Sequence, residues 1–592
     1  ILMRLFYLQI LQGNKYREFA ENNRQRIIPI QSKRGIIYDR NGIELSKNIP
    51  NFSIALTPQD LPREKEKRED IINKLSDITQ KKPEEISSIL DKYGSYSYES
   101  IIIQEDIDYE TALKILIESS GLQGIQIQKG SKRLYQSNTK DNPDKQNTTS
   151  TPESISHILG YTGKLDETEL DNLYSLGYLP SDNIGKIGIE KQYETELRGK
   201  YGQKRIEVNS LGKEQNVLSE NLPEPGKNIF LTIDIDMQNK LEEILKNHLK
   251  IYNKTKAVAI VSNPQNGEIL SMVNLPSFDN NDFSGGISNE NYQKYISNPD
   301  NPLFNRAISG LYPSGSTIKP AIAVGALEEK IITKFTTFLS NGGLQISSWF
   351  FPDWKPGGHG ITDVRKSIAW SVNTFYYYIG GGYKNFTGLG VEKITDYLRK
   401  FGISEKLGID IPGEKEGFLP SKKWKKDTKG EIWYIGDTYN ISIGQGDVLV
   451  TPLQINSMTN IIANEGTLYK PHLLNKIIDP QSKEETKIDP TIIRKDIAEL
   501  DNIRTVKWGM RDCVDYGSCR RLSLLPFNTG AKTGTAQWSS TKDDHAWFTA
   551  FAPFENSQIS ITILIEEGIG GSETAAPVAY DFLKWWGENY LK

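Results

Sequence analysis

Three short segments of this chain supply the residue types of a serine acyl-transfer site that needs no histidine. They are, in chain order, Ser316-Thr317-Ile318-Lys319, Ser371-Val372-Asn373 and Lys532-Thr533-Gly534. A serine hydroxyl is a weak nucleophile until a base removes its proton. A lysine can be that base where burial and nearby positive charge lower its pKa. The set therefore predicts acyl transfer through Ser316, with Lys319 as the base.

The first segment is predicted to begin a helix. Pro and Gly within 310–315 mark a tight turn and apolar residues follow through position 327, which predicts a helix from near Ser316. Residues three apart lie on one face of a helix, so Ser316 and Lys319 are expected within reach of each other. The helix start adds partial positive charge where an oxyanion would develop. Because Pro320 has no N–H for the Ser316 carbonyl, the first turn is expected to be distorted.

Each of these patterns alone carries little weight. The Lys-Thr-Gly pattern occurs once, whereas Ser-x-x-Lys recurs, for example, at 210–213 and 539–542, and Ser-x-Asn recurs at 46–48, 181–183 and 219–221. Short patterns are hypotheses until their structural setting agrees. The information therefore lies in the order and context of the three segments.

The third segment is predicted to lie on a strand. Residues 532–538 precede two runs rich in β-branched and aromatic residues, 545–551 and 559–565, which predict neighbouring strands of an antiparallel sheet. Gly534 would let a substrate backbone approach closely. Lys532, with the hydroxyls of Thr533 and Thr535, suits a carboxylate.

The chain resembles the class B penicillin-binding proteins, and among them the transpeptidases of cell-wall elongation. The resemblance covers almost the whole length, and it rests on five blocks in the family's order: Arg34–Gly42, Gly185–Glu190, Tyr312–Pro320, Gly444–Gln454 and Lys532–Gln537. It implies an enzyme that cross-links peptidoglycan stem peptides ending in D-Ala-D-Ala and is inhibited by β-lactams. Neither a cofactor nor a metal is expected.

The resemblance also implies a role for each site residue. Ser316 would attack the carbonyl between the two D-alanines, and Lys319 would accept its proton. Ser371 and Asn373 would relay protons and hold the donor peptide, while Lys532 completes the network.

The third segment would bind the end of the substrate. Backbone N–H groups of Ser316 and Thr535 would form the oxyanion hole. Thr533 and Thr535 would bind the terminal carboxylate on the strand that contains Gly534. An amine on a neighbouring strand would then resolve the acyl-enzyme.

The sequence predicts an α/β (α+β) chain in three parts. Residues 1–12 would be the end of a membrane anchor or stalk, 13–222 an elongated mixed pedestal and 223–592 the transpeptidase domain. The last is expected to contain a mainly antiparallel sheet with helices on both faces. Residues 257–273 predict a hairpin closed by Asn-Gly, and apolar residues at helical spacing over 578–586 predict a final helix on that sheet.

Composition and targeting agree with this interpretation. The chain has 592 residues and a formal net charge of −4, which gives no indication of nucleic-acid binding. No apolar stretch of about 18 residues occurs. Because the resembled enzymes are held by one N-terminal transmembrane helix, residues 1–10 are interpreted as the outer end of such a helix. The alternative is an ordinary amphipathic helix of a soluble protein. The resemblance implies a single pass through the inner membrane, a periplasmic catalytic domain, and two partners, a membrane glycan polymerase and a rod-shape scaffold protein.

Several residues have two interpretations. Cys513 and Cys519 could form a small-loop disulfide or remain two thiols. His359 with Asp353 could ligate a metal, but no cysteine lies between the first two motifs, so no zinc is predicted. His545 is interpreted as a structural residue rather than a general base. The aromatic residues of 349–354 are predicted to pack within the fold.

Three other functions are compatible with some or all of these motifs. A division-specific class B transpeptidase would use the same chemistry, although the sequence around Ser316 favours the elongation enzymes. A β-lactamase or β-lactam sensor shares the first and third motifs, but hydrolysis needs a base that activates water. A non-catalytic cell-wall scaffold is disfavoured because all three motifs are intact.

Overall fold

The computed structural model describes residues 25–93, 100–118, 123–135, 153–208 and 214–591, with single residues between 4 and 12. Most of the predicted anchor end, residues 136–152 and the Ser-x-x-Lys pattern at 210–213 lie outside these residues. Within the described ranges, every helix is too short or too polar to cross a bilayer.

The N-terminal part contains small sheets with short helices. Its best-packed unit is an antiparallel sheet in which Ser46–Leu56 lies between Ile101–Ile107 and Ile125–Tyr135. The other strands and helices of this part are Gln25–Ile30, Gly202–Val208 and Glu214–Asn221, which form one sheet; Thr162–Lys164 and Asn183–Gly185, which pair; and the helices Lys65–Thr79, Pro83–Tyr93, Tyr109–Glu118, Ser156–Leu159, Glu167–Leu173, Gly188–Gln192 and Glu194–Arg198.

A mixed sheet joins the two parts of the molecule. Ile37–Tyr38 pairs in parallel with Asn228–Leu231, which pairs with Leu474–Ile478, and Glu485–Lys487 completes the sheet. Residues from both ends of the chain therefore share one set of backbone hydrogen bonds.

The C-terminal part is built on a five-stranded antiparallel sheet. Its strands are β1 (Ala257–Ser262), β2 (Ile269–Leu275), β3 (Gly530–Ala536), β4 (His545–Ala552) and β5 (Ile559–Ile565), in the spatial order β2-β1-β5-β4-β3. Strands β1, β2, β4 and β5 are buried along their whole length, as expected for a sheet covered on both faces. The predicted hairpin is confirmed, and β3 is an edge strand.

Helices cover both faces of this sheet. The six that position the site are α1 (Ile235–Ile251), α2 (Lys319–Glu328), α3 (Asn373–Gly381), α4 (Pro452–Ala463), α5 (Leu500–Asp515) and α6 (Ala576–Tyr590). On one face α1 and α6 pack around Leu241, Phe548 and Phe582. On the other face α2 and α4 share a core with Ile260 and Trp547. The predicted fold class and the final helix are both confirmed.

The remaining elements of this part are short, and one departs from prediction. They are the helices Asn289–Ile296, Arg306–Ser309, Val364–Ala369, Gly390–Lys400, Lys422–Lys429 and Ile435–Ser442, and the strands Tyr312–Pro313, Phe338–Ser340, Gly343–Ile346, Trp349–Pro352, Gly360–Thr362, Leu449–Val450, Leu468–Tyr469 and Ile492–Arg494. The packing prediction was wrong for Trp349, Phe350 and Trp354, which are exposed. They belong to or follow a two-stranded hairpin, from which Phe351 reaches the rings of Tyr377 and Tyr439.

Candidate active site

The serine segment forms a tight turn before its helix. Residues Gly315–Ile318 are a 3-10 turn, and α2 begins at Lys319 rather than at Ser316. The Lys319 N–H donates to the Ser316 carbonyl. Pro320 cannot make this hydrogen bond because proline has no backbone N–H. The predicted distortion is therefore present. Ser316 is partly exposed, whereas Lys319 is completely buried.

This turn packs directly against the edge strand β3. A Cβ on Gly315, whose φ is +50°, would lie 2.5 Å from the Thr535 carbonyl oxygen. A Cβ on Gly534 would lie 2.7 Å from Thr317 Cγ2. Only glycines permit this approach, so they bring Ser316 beside the third motif. Gly534 was predicted to make room for a substrate, and the structure shows that it makes room for the serine turn.

The second segment places Ser371 between two lysines. Lys319 Nζ donates to Asn373 Oδ1 at 2.6 Å and to the Ser371 carbonyl at 2.8 Å, and it lies 3.3 Å from Ser371 Oγ. Lys532 Nζ donates to Ser371 Oγ at 2.9 Å and to the Thr533 carbonyl at 2.8 Å. The hydroxyl of Ser371 is therefore a bridge between the two amines.

Backbone conformation fixes this bridge. Ser371 has φ +55°, a left-handed conformation that costs a non-glycine residue about 1–2 kcal/mol. It lies between the helix Val364–Ala369 and α3, and the Ser371 side chain is turned inward there with 8% of the residue exposed. Strain of this kind persists where the surrounding structure imposes it.

Burial disfavours the protonated form of both lysines. Loss of solvent lowers the pKa of Lys319 to about 7, although the carboxylate of Asp353 acts in the opposite direction. Loss of solvent, and then the positive charge of Lys319, lower the pKa of Lys532 well below its ordinary value. A neutral amine beside a serine can accept a proton. The arrangement has the chemical properties that serine acylation requires.

Asp353 organises the second segment, a function that the sequence analysis did not predict. Its carboxylate accepts from Thr374 N–H at 3.0 Å, Thr374 Oγ1 at 2.7 Å and Ser340 Oγ at 3.1 Å. It also lies 3.3 Å from the N–H of Asn373. Although burial alone would raise it, hydrogen bonds from Thr374 lower the pKa of Asp353. Asp353 therefore orients the first turn of α3, which presents Asn373 to Lys319.

The threonines of the third motif differ in their surroundings. Thr533 is buried, and its Oγ1 lies 2.7 Å from Ser518 Oγ. Thr535 is exposed, with its Oγ1 3.4 Å from the N–H of Gly571. Ser518 precedes Cys519, which forms a disulfide with Cys513. The disulfide interpretation of the two cysteines is the one the structure supports.

The two histidines near these motifs have structural contacts. His545 Nδ1 accepts from the Glu567 N–H at 3.1 Å, and burial lowers the pKa of His545 to about 4. His359 Nε2 lies 3.8 Å from Asp353. In the described part of the chain no three His, Cys, Asp or Glu side chains are grouped as metal ligands would be. The expected absence of zinc stays a prediction.

Family models match both parts of the chain. A model of the penicillin-binding protein transpeptidase domain matches residues 257–584, and a model of the penicillin-binding protein dimerisation domain matches residues 29–231. The chain belongs to the penicillin-binding protein family, as its motifs predicted.

Similar proteins extend over almost all of the chain. It is 31% identical to the peptidoglycan D,D-transpeptidase MrdA of Salmonella typhimurium (strain SL1344), over 98% of this chain and 92% of that protein. It resembles penicillin-binding protein 2 in a complex with MreC from Helicobacter pylori, with a TM-score of 0.81, 29% identity, and coverage of 96% of this chain and 100% of that one. It also resembles a chain of a peptidoglycan synthase complex that coordinates polymerization and crosslinking, with a TM-score of 0.72, 26% identity, and coverage of 99% and 95%.

Proposed function

We propose that this protein is a peptidoglycan D,D-transpeptidase that cross-links stem peptides during cell elongation. The observation that carries the proposal is the position of Ser371 Oγ between the buried amines of Lys319 and Lys532, next to the turn that holds Ser316. The similarity to MrdA over almost the whole chain supports the elongation role rather than a division role.

The reaction proceeds in two half-steps. Ser316 Oγ attacks the carbonyl carbon between the two D-alanines while Lys319 Nζ accepts its proton. The C–N bond then breaks, and the leaving D-alanine nitrogen takes a proton through Ser371, whose hydroxyl bridges the two lysines. An acceptor amine attacks the acyl-enzyme, loses a proton along the same route, and restores the Ser316 hydroxyl.

The substrate lies along β3. Backbone N–H groups of Ser316 and Thr535 stabilise the oxyanion. The hydroxyls of Thr533 and Thr535, with the nearby Lys532, hold the terminal carboxylate, and Asn373 holds the donor peptide. A β-lactam enters as a mimic of the donor and leaves Ser316 acylated.

The proposal extends to the organisation and surroundings of the protein. Residues 13–222 form a pedestal and residues 223–592 form the transpeptidase domain, which lies in the periplasm. A rod-shape scaffold and a membrane glycan polymerase are its partners. The MreC complex and the synthase complex among the similar structures support this choice.

Acylation of one serine tests the proposal. Incubation with a fluorescent penicillin should give one label per chain, and a digest should locate it on Ser316. The Ser316→Ala variant should lose the label because it removes the proposed nucleophile, while the Ser371 hydroxyl that remains between Lys319 and Lys532 is buried.

Ser539→Ala is the matched control. Ser539 is partly exposed and begins the Ser-x-x-Lys sequence at 539–542, whose other residues are exposed. Removal of its hydroxyl should leave labelling unchanged. Normal labelling of Ser316→Ala would contradict the proposed nucleophile. Rapid, repeated turnover of the β-lactam would contradict the transpeptidase in favour of a lactamase.

A further inference from the structure

An apolar strip lies on the outward face of the hairpin formed by residues 343–352. Exposed and inward side chains alternate along positions 350–354, as expected for an extended chain. Phe350, Pro352 and Trp354 are exposed, while the two residues between them pack inward. A contiguous row of exposed apolar groups marks a binding surface.

The strip is continuous with the candidate active site. Trp354 Nε1 donates to the Trp370 carbonyl at 2.9 Å, and Trp370 immediately precedes Ser371. The carboxylate of Asp353, the neighbour of Trp354, accepts from the Thr374 N–H at 3.0 Å. The strip therefore leads to the second motif, which is a different wall of the site from β3.

A neutral amide lies beside the rings of the strip. A Cβ on Gly343 would lie 2.7 Å from Phe350 Cζ, so the absence of a side chain lets the Phe350 ring rest against the backbone of the other strand. Gln345 pairs with Phe350 across the hairpin, which places its exposed amide on the same face as the ring. Its Nε2 donates to the Ser347 carbonyl at 2.7 Å.

The segment that carries the strip is almost free of charge. Residues 335–354 contain one charged side chain, the buried Asp353, although 25% of the whole chain is charged. Surfaces that bind anionic membranes carry lysines and arginines, and this segment has none. A saccharide fits it better, because sugar C–H groups pack on the negative face of an aromatic ring and sugar hydroxyls bond to neutral amides.

We propose that this strip binds the glycan chain of the acceptor strand, the peptidoglycan strand that supplies the attacking amine. This inference rests on the proposed transpeptidase function. Because the donor peptide occupies β3, the second strand reaches Ser316 along another wall of the site. The second motif and the strip form that wall. The sugar rings stack on Phe350 and Trp354, and the acceptor stem peptide extends toward Ser316.

Two acceptors that differ only in their sugars test this assignment with the full chain. One is a stem peptide with a free amine, and the other is the same peptide attached to a tetrasaccharide of the glycan chain. A stem pentapeptide is the donor, and mass spectrometry measures the cross-linked product. Wild-type protein should use the glycan-linked acceptor with a higher kcat/KM, by about five-fold for each stacked ring.

Substitution of Phe350 should change the use of one acceptor only. Phe350→Ala should lower kcat/KM for the glycan-linked acceptor about five-fold and leave that for the free peptide unchanged. Phe350→Trp keeps a ring and should keep the advantage. Tyr174→Ala is the matched control, because Tyr174 is a similarly exposed ring (61% against 57%) in the N-terminal part, and it should also keep the advantage.

Penicillin binding separates this inference from the proposed function. Fluorescent penicillin, which carries no glycan, should acylate every variant at the wild-type rate and so shows that each is folded. Equal use of the two acceptors by wild-type protein, or an unchanged advantage in Phe350→Ala, would overturn the inference alone. Failure of wild-type protein to bind penicillin would overturn the proposed function.

Two further measurements identify any other occupant of the strip. Co-sedimentation with vesicles of phosphatidylethanolamine and phosphatidylglycerol, and sedimentation velocity of the protein alone, compare wild-type protein with Phe350→Ala. A variant that keeps the glycan advantage but loses vesicle binding would overturn the inference in favour of a membrane surface. One that keeps the advantage but loses self-association would overturn it in favour of a second copy of this chain.

Discussion

The two buried lysines are coupled, because the positive charge of Lys319 helps to lower the pKa of Lys532. Lys319 and Lys532 both contact the Ser371 hydroxyl, at 3.3 Å and 2.9 Å. Two ammonium ions this close, without solvent, would repel each other strongly. The low pKa of Lys532, caused by burial and then by Lys319, reflects this constraint. A proton taken from Ser316 can therefore be shared through Ser371 rather than held by one lysine.

The pH dependence of acylation tests Lys319 as the base. Because burial lowers its pKa to about 7, the reactive amine form increases as the pH rises through 7 and is lost below it. The rate of β-lactam acylation, followed by stopped-flow fluorescence, should rise through this range and then level off. Lys319→Ala should lower the rate about a hundred-fold to ten-thousand-fold, the usual contribution of a general base.

The control for Lys319 keeps its positive charge and removes its function as a base. Lys319→Arg introduces a guanidinium that does not deprotonate in proteins, so its acylation should stay slow at every pH. A wild-type rate and pH profile in Lys319→Ala would contradict the assignment.

Asp353 should influence the same pH profile through its charge. Its carboxylate raises the pKa of Lys319 against the larger effect of burial, so Asp353→Asn should move the acidic limb of the acylation profile to lower pH. The other titratable groups near Lys319 include Lys532, His359 and Tyr376, and this variant leaves all three in place. If Asp353 only orients α3, its replacement would lower the acylation rate without moving the midpoint of the pH profile.

An exposed aspartate provides the comparison for Asp353. Asp501 pairs with Lys334 at 3.3 Å on the surface, and Asp501→Asn should leave the profile unchanged. A midpoint that stays in place or moves to higher pH in Asp353→Asn would show that its charge does not act on Lys319.

Most of the site residues could be predicted, since their types and order carry the chemistry. The structure brings Lys319, Ser371, Asn373 and Lys532 into one hydrogen-bonded network. Asp353 could not be predicted as their organiser, because its contacts depend on a hairpin and a helix that approach only in the folded chain. The sequence offered Asp353 only as a potential metal ligand.

At the scale of elements, a disulfide loop connects α5 to β3. Cys513 lies on α5, and the Ser518 N–H donates to the Ala369 carbonyl at 3.0 Å, just before the second motif. The Ser518 hydroxyl contacts Thr533 on β3. The loop therefore links three elements that hold the site, and its order should matter to substrate binding.

Removal of this disulfide should reduce both stability and substrate affinity. In Cys513→Ala/Cys519→Ala the free energy of unfolding should fall by about 2 kcal/mol, the value for so short a loop. The looser Ser518 contact should raise the KM for a stem peptide about five-fold, equivalent to one hydrogen bond of about 1 kcal/mol. Denaturant unfolding and peptide kinetics measure the two effects.

Ser518→Ala separates the two effects of the loop. It keeps the disulfide and removes the hydroxyl that contacts Thr533 at 2.7 Å and Cys513 Sγ at 3.3 Å, so KM should rise while the unfolding midpoint stays near that of the wild type. An unchanged KM in both variants would show that the loop has no influence on β3.

The helices and strands could be predicted where a local sequence pattern specifies them. The β1–β2 hairpin follows from two apolar runs that flank Asn266-Gly267, and Gly267 has φ +82°. The place of β3 at the sheet edge does not follow from any local pattern, because pairs such as Ala257 with Ile565 join strands far apart in the chain. The exposed rings of 349–354 were mispredicted for a related reason, since apolar type alone does not show which face a hairpin turns to solvent.

At the scale of the whole molecule, one buried carboxylate holds together the residues of the N-terminal part that contact the catalytic part. Glu190 is completely buried, and it accepts from Arg34 Nε at 2.6 Å and Arg133 Nε at 2.7 Å. The backbone of Arg133 in turn accepts from Ser284, and Tyr135 exchanges two hydrogen bonds of 2.9 Å with Asn281. The blocks that contain Arg34 and Glu190 were recognised in the sequence, but their meeting in one ion cluster was not predictable.

Glu190→Gln should loosen this junction without altering the chemistry of the site. The change removes the carboxylate that both buried guanidinium groups share, and only Arg34 keeps a second one, that of Glu194. The free energy of unfolding should therefore fall by about 3 kcal/mol or more. Hydrogen exchange should become faster in segments 34–38 and 185–198, while folded protein still binds penicillin at the wild-type rate. Glu66→Gln, on an exposed helix surface, should change neither. Unaltered exchange in Glu190→Gln would show that hydrogen bonds, rather than charge, hold the junction, whereas slower acylation would show that the junction also shapes the distant site.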